Sequence, residues 1–177
     1  MKRLVPFAYA TSIYDINVDF YKKINVKFLL IDLDNTLDTH KTLVPSDRAK
    51  KLITSLKENN LIPIIISNNK EQRVKKYSSC LNVKYLCRAR KPFKFKIEKF
   101  LNKENINKND VIMIGDQLMT DIRCAERLRI KSILTEKLWP KDQFVTKLLR
   151  WLDKIKRRRL KKDNLLINWR DIYGRIK

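Results

Sequence analysis

Glycine is nearly missing from this chain, two in 177 residues, and the five prolines are spread thinly. No Ser/Gly/Pro-rich stretch, repeat or low-complexity tract marks a flexible linker, so any division of the chain has to show in its charge. Cysteine is also scarce. Cys80, Cys87 and Cys124 are odd in number, widely spaced and without a CxxC pair, which argues against a disulfide framework or a zinc site and for free thiols in a reducing compartment. No run approaches the roughly 18 apolar residues of a membrane span. The start, MKRLVPFAYA, has the basic opening and AxA-like end of a signal peptide, but its apolar run is too short and Pro6 interrupts it. The expectation is a cytoplasmic protein that could still sit peripherally at the inner face of a membrane.

Acidic residues are the other shortage: 19 Asp and Glu face 41 Lys and Arg, for a net charge of +22. That balance points towards nucleic acid, ribosome or an anionic membrane surface. The chain is also rich in Ile and Asn, as AT-rich coding DNA would produce, and such a bias raises lysine without any binding role. Position separates the two readings in part. Residues 141–177 carry 13 basic and 4 acidic side chains, residues 1–140 carry 28 and 15, and the net charge per residue more than doubles in the tail. The reading is a domain over 1–140, ended by Trp139 and Pro140, and a basic C-terminal extension over 141–177.

A chain with 44% hydrophobic residues and this length is enough for one domain with a substantial core. Five short apolar runs lack strict alternation, as strands buried on both faces do: VKFLLID (26–32), LIPIIIS (61–67), VKYLC (83–87), VIMIGD (111–116) and IKSILT (130–135). Between the first two, Ala49, Leu52, Ile53 and Leu56 follow helical spacing behind a cap at Ser46 or Asp47. Further helices are expected near 70–80, 94–103 and 121–129. The fold class is therefore α/β, doubly wound and Rossmann-like, with a mainly parallel central sheet. In such sheets ligands sit beyond the carboxyl ends of the strands, which here carry Asp32, Asp34, Ser67, Lys91 and Asp116.

Two carboxylates at i and i+2 on a strand end point the same way, and their repulsion calls for a cation. A hard Mg²⁺ with oxygen ligands suits, with Asp116 as a further carboxylate and Asp121 five residues on. One aspartate can then attack phosphorus while the other handles the leaving-group proton, and Lys91 and Ser67 orient the phosphoryl oxygens.

The motifs themselves carry a resemblance. DLDNTL resembles the DxDxT first motif of the haloacid dehalogenase superfamily of Mg²⁺-dependent phosphohydrolases, and IIISNN, ARKP and IGDQLMTD resemble its second, third and fourth motifs, in order. The resemblance implies Asp32 as the nucleophile forming an aspartyl-phosphate and Asp34 as general acid and base. It implies Mg²⁺ held by Asp116, the Asp32 carboxylate and the Asp34 backbone carbonyl. Ser67 would bind phosphate together with Lys91, and Asp121 would orient Lys91 or a metal-bound water; Thr36 would brace the loop, with Thr36 and Asn68 both expected at the substrate. Asp38 and His40 are expected to be incidental. More narrowly, LVPFAYATSIYDIN with IDLDNTL, SNN, RARKPF and IGDQLMTDI resembles the YqeG family of subclass IIIA phosphatases over residues 3–139. That family is related to mitochondrial phosphatidylglycerophosphate phosphatases, which implies a candidate substrate and a place in phospholipid metabolism.

Only 33 positions separate Asp34 from Ser67 and 24 separate Ser67 from Lys91, room for one helix and one strand each and for no cap. An open site suits a phosphate presented on something large. In the tail, Phe144, Val145, Leu148, Leu149, Leu152 and Ile155 form a helical stripe beside Lys147, Arg150, Lys154, Arg157, Arg158 and Lys161. With Trp151, residues 144–162 fit an anionic membrane surface; the bland alternative is a stripe packed on the domain with its charge in water. Ribosomal or other RNA is the competing partner, and phosphoproteins or soluble phosphate esters the competing substrates. Trp169 and Tyr173 are expected to anchor the C-terminus by packing.

Overall fold

Runs rich in Ile, Leu and Val become strands, and the amphipathic stretches between them become helices. The computed structural model describes residues 4–139 and 147–176, with side chains from 151 onward in the second span. Six strands, β1 (Ala8–Ala10), β2 (Phe28–Ile31), β3 (Ile62–Ile66), β4 (Lys84–Leu86), β5 (Val111–Gly115) and β6 (Lys131–Thr135), form one sheet in the order β1-β6-β5-β2-β3-β4. Every pairing is parallel. The sequence reading gave five strands. The sixth, β1, is only three residues long, at the sheet edge, in a stretch that Pro6 interrupts, too short to stand out as a strand.

Helices α1 (Val18–Lys23), α2 (Asp47–Glu58), α3 (Glu71–Leu81), α4 (Phe95–Lys103) and α5 (Arg123–Leu128) cover the two faces, and α6 (Lys147–Lys162) and α7 (Trp169–Arg175) follow. Alternation along the strands sorts the core. Leu29 and Ile31 pack with Ile53, Leu56, Val74 and Tyr77 on one face. Leu30 faces the other way, with Ile64, Met113, Ile97, Leu101 and Leu128. Ser46 caps α2, its hydroxyl accepting from the Ala49 amide at 3.3 Å. With glycine so rare, the left-handed positions fall mostly to asparagine: Asn25, Asn35, Asn60, Asn82, Asn105 and Asn164 all have positive φ. The helix expected over 121–129 begins as a π-helical turn, Leu118–Ile122, before α5 takes over.

The C-terminal residues share the cores of the rest. Trp169 is buried and meets Phe20 of α1 edge-on with ring centroids 5.6 Å apart, and Tyr173 packs beside both rings. Leu160 of α6 lies among Leu4, Leu118, Ile122 and Leu134. The side of α6 turned to the domain differs from the expected apolar stripe. Asp153, Arg157 and Leu160 face inward, Leu152 and Ile155 are only half-buried, and Trp151 is exposed. Pro140, Phe144 and Val145 lie outside the described residues, as do the side chains of Leu148 and Leu149. Among the described residues no helix is long and apolar enough to cross a membrane.

Candidate active site

The strand order decides where a site can form. From β2 the chain steps outward through β3 and β4, then returns to the other side of β2 as β5 and continues to β6. That reversal leaves a crevice at the carboxyl ends of β2 and β5, where Asp32 and Asp116 emerge. The Asp32 amide still donates to Ile114 O at 2.9 Å, so its carboxylate is fixed by the last rung of the sheet.

Lys91 joins the pieces. Its ammonium donates to Asp32 Oδ1 at 2.5 Å, to Asp121 Oδ1 at 2.6 Å and to the Ile66 carbonyl at 3.1 Å. Burial opposes its charge, but Asp121 and Asp32 more than offset that and hold its pKa above the ordinary lysine value. Asn68 clamps the Lys91 backbone, accepting from its N–H at 2.8 Å and donating to its carbonyl at 3.0 Å. Its amide is thereby committed to positioning Lys91, ahead of the cis Lys91–Pro92 bond, whereas the resemblance set it beside the substrate.

Asp32, Asp116 and Asp121 bring carboxylate oxygens within 4.8 Å of one another, all buried. Asp116 is fully buried, and neither of its carboxylate oxygens has a hydrogen-bond partner among the described residues. Its pKa is raised well above the ordinary value by burial, then by the charges of Asp32 and Asp121. Asp32 is pushed up to about 7, chiefly by burial, with Lys91 opposing and Asp121 and Asp34 adding. Three buried carboxylates share the Lys91 ammonium, Lys137 only partly opposes the charge at Asp116, and a divalent cation would neutralise the excess negative charge when all are ionised. The orphaned Asp116 oxygens are hard ligands of the kind Mg²⁺ takes. The donor set therefore fits the expected cation.

Gly115 makes the cluster possible. A Cβ at this position would overlap the Asp121 side chain, so the strand end must carry glycine for Asp121 to approach. Asp121 is steadied by the Gln117 amide and the Thr120 hydroxyl, each 3.2 Å from its Oδ2.

Asp34 stands apart, half-buried. Arg73 of α3 donates to its Oδ1 at 2.6 Å, and the Asn69 side chain donates to its Oδ2. Arg73 is itself anchored on the carbonyls of Thr42 and Thr39 at 2.9 and 3.2 Å. Thr36 is buried and its hydroxyl donates to Asp32 Oδ2 at 3.4 Å, a bracing contact. Ser67 is buried at the end of β3, its hydroxyl accepting from the Asn69 amide at 3.1 Å. His40 lies half-buried in the loop and makes no hydrogen bond to these residues.

Asp38 is not incidental. It accepts from Tyr77 Oη at 2.5 Å and from the Ser46 amide at 3.0 Å, and its carbonyl takes the Asn35 amide at 2.7 Å. It ties the loop after β2 to α2 and α3, so it orders the turn that presents Asp32 and Asp34.

Arg157 also departs from its expected place on a solvated basic face. Its guanidinium is largely buried against the ends of β5 and β6, donating to Asp116 O at 2.5 Å, Thr135 O at 3.1 Å and Glu136 Oε2 at 3.0 Å. Asp153, one turn earlier, accepts from the Met119 amide at 3.1 Å. The carbonyls at two strand ends and these acids give Arg157 more than water would offer, which turns it inward. In a chain so rich in lysine and arginine, nothing in the sequence distinguishes Arg157 or Arg73 from their neighbours. Gly115, one of two glycines and next to Asp116, was a signal that could have been found.

Comparison with known proteins agrees with this geometry. Residues 3–135 match the haloacid dehalogenase-like hydrolases. The probable phosphatase YqeG of Bacillus subtilis (strain 168) is 31% identical over 153 residues, spanning 86% of this chain and 89% of the relative. Among solved structures, an uncharacterized protein from Listeria monocytogenes serotype 4b aligns with a TM-score of 0.53 at 16% identity, covering 75% of this chain and 99% of that one. A putative hydrolase of the same superfamily from Streptomyces avermitilis MA-4680 aligns at 0.50 and 18% identity, covering 63% and 67%. These two share the fold. With the motif residues gathered at one crevice and a family match across most of its length, the chain belongs to the haloacid dehalogenase-like hydrolases, in their YqeG family, and is a phosphatase.

Proposed function

We propose that the protein is a Mg²⁺-dependent phosphomonoesterase that works through an aspartyl-phosphate on Asp32 and acts on an anionic membrane lipid, with the terminal phosphate of phosphatidylglycerophosphate as candidate substrate. The observation that carries the chemistry is the buried Asp32–Asp116–Asp121 cluster, with Lys91 bonded to two of its members and the Asp116 carboxylate without a hydrogen-bond partner among the described residues.

In this reading an Asp32 oxygen attacks phosphorus and the ester oxygen leaves, taking a proton from Asp34. Water then attacks the same phosphorus, Asp34 accepts its proton, and the Asp32 carboxylate is released with inorganic phosphate. Lys91 and the Ser67 hydroxyl hold the phosphoryl oxygens through both steps, with Lys91 kept charged by Asp121. Mg²⁺, held by Asp32, Asp116 and the Asp34 backbone carbonyl, would supply positive charge against the developing negative charge. Asn69 and Arg73 orient Asp34 for its two proton transfers.

The lipid assignment is supported by the YqeG resemblance and by the open site. Only α2 and β3 lie between Asp34 and Ser67, and only α3 and β4 between Ser67 and Lys91, so no cap domain is inserted between these residues. The test is phosphate release with Mg²⁺ from phosphatidylglycerophosphate in anionic liposomes, with a soluble aryl phosphate as control and Asp32→Asn beside the wild type. Preference for the lipid, abolished in the variant, is expected. Activity on the aryl phosphate alone would retain the chemistry and discard the lipid. An active Asp32→Asn protein would discard the mechanism. Salt-sensitive RNA binding that survives Asp32→Asn, without lipid turnover, would move the function to RNA.

A further inference from the structure

Large apolar side chains left in water are unevenly placed on this molecule. Among the described residues the five most exposed are Phe95, Leu43, Trp151, Phe93 and Val44, followed by Trp139, at 71%, 61%, 58%, 57%, 51% and 43%. Leu43 and Val44 stand in the loop that follows β2 and carries the Asp34–Asp38 turn. Phe93 and Phe95 come directly after Lys91 and Pro92, beyond β4, and Trp139 follows β6. Because all six strands run parallel, these loops emerge at one edge of the sheet, the edge that holds the catalytic cluster. Trp151 joins them through α6, whose Asp153 and Arg157 are bonded to Met119 and Asp116 beyond the end of β5. Singly exposed apolar residues are ordinary on any surface; their concentration around one opening is not.

We infer that this face docks on an anionic phospholipid bilayer, with Phe93, Phe95, Trp139 and Trp151 entering the headgroup boundary around the active site. The inference rests on the membrane-lipid reading above and names the surface that brings the site to its substrate. Two features select a bilayer over a protein or RNA partner. The apolar side chains are separate knobs on different loops rather than one continuous groove, as suits insertion between lipids. Exposed cations stand among them, including Lys41, Arg88, Arg90 and Lys154, placed to meet lipid phosphates as the rings enter. Arg88 and Arg90 both adopt left-handed backbone conformations, at φ 45° and 58°, in the loop leading to Lys91. The contact thereby moves from the helical tail alone to the whole catalytic edge, with α6 contributing Trp151.

The full-length protein and a Phe95→Asp/Trp151→Asp double variant would be sedimented with vesicles of phosphatidylglycerol mixed into phosphatidylcholine, and with phosphatidylcholine alone. Wild type is expected on the anionic vesicles and not on the neutral ones, and the variant to lose at least about tenfold in partitioning. Its turnover of a soluble aryl phosphate is expected to match wild type, since both residues are exposed and neither contacts the cluster. A variant that binds vesicles as wild type does, or a wild type that ignores anionic vesicles, would overturn the docking. If docking fails while phosphatidylglycerophosphate is still hydrolysed, the substrate assignment survives alone; if vesicles are bound but the lipid phosphate is not released, the docking survives alone. Equal loss of RNA binding in the variant, with no vesicle binding by wild type, would reassign the surface to RNA.

Discussion

Asp116 is the residue with the most to gain from a ligand. Its carboxylate is fully buried, has no hydrogen-bond partner among the described residues and faces Asp32 and Asp121. In metal-free protein its pKa therefore lies well above the unfolded value, so between the two the folded chain holds a proton that the unfolded chain has lost. Stability contributed by this group is complete at low pH and falls as pH rises from about 4 towards the raised value. Mg²⁺ bound to the ionised form, as proposed, would remove the penalty. Saturating Mg²⁺ is thus expected to raise the thermal midpoint more at about pH 7.5 than at about pH 5.5, by roughly 5–10 °C at a hundredfold excess over Kd. Asp116→Asn should abolish that shift, flatten the metal-free pH slope and leave no turnover. An undiminished Mg²⁺ shift in the variant would place the cation elsewhere. The motif aspartates were legible in the sequence because acidic side chains at the ends of apolar strands have few other reasons to be there. Asp38 was misjudged because its role is a bond to Tyr77, 39 residues away, which no local pattern records.

Two elements set the cluster's shape without touching substrate. The first is the end of β5, where Gly115 leaves room for Asp121. Gly115→Ala would push the Asp121 side chain off Lys91, at a cost of about 1–3 kcal/mol in overpacking and with loss of most activity. Urea unfolding and kcat on an aryl phosphate check the two effects separately. The second is α6, where Arg157 holds the Asp116 carbonyl and Asp153 the Met119 amide, so that one helix fixes the entry into the π-helical turn Leu118–Ile122, which carries Asp121. Arg157→Ala should lower activity about ten- to a hundredfold, as loss of a residue behind a metal ligand does. The Mg²⁺ concentration for half-maximal rate should rise with it, which a simple loss of stability would not cause. Arg157→Lys should recover only part, because one ammonium cannot span the acceptors on two strand ends that the guanidinium fork reaches. Unchanged Mg²⁺ dependence in Arg157→Ala would reduce the contact to packing.

At the scale of the whole molecule, the doubly wound sheet was legible because strands buried on both faces are continuously apolar, as β2, β3 and β5 are, and β6 keeps Ile133 and Leu134 at its centre. The contribution of the C-terminal residues was not, because their charge suggests an appendage and only their three-dimensional neighbours show otherwise. Trp169 and Tyr173 close over Phe20, Leu160 fills the space between Leu118 and Leu134, and the Tyr9 amide of β1 donates to Ile167 O at 2.8 Å. A detachable basic tail could be removed at little cost in stability. Here its removal would strip β1 of this bond, uncover Phe20 and release the Asp116 turn together. Trp169→Ala alone should cost about 3–5 kcal/mol, a large share of the roughly 5–15 kcal/mol that holds a domain folded. A chain ending at residue 146 is expected to lose its cooperative urea transition altogether. A truncated protein that unfolds at the wild-type midpoint would mean that α6 and α7 only rest on a domain complete without them. The Trp169→Ala result distinguishes that case from simple loss of charge, since the substitution leaves all 41 basic residues in place.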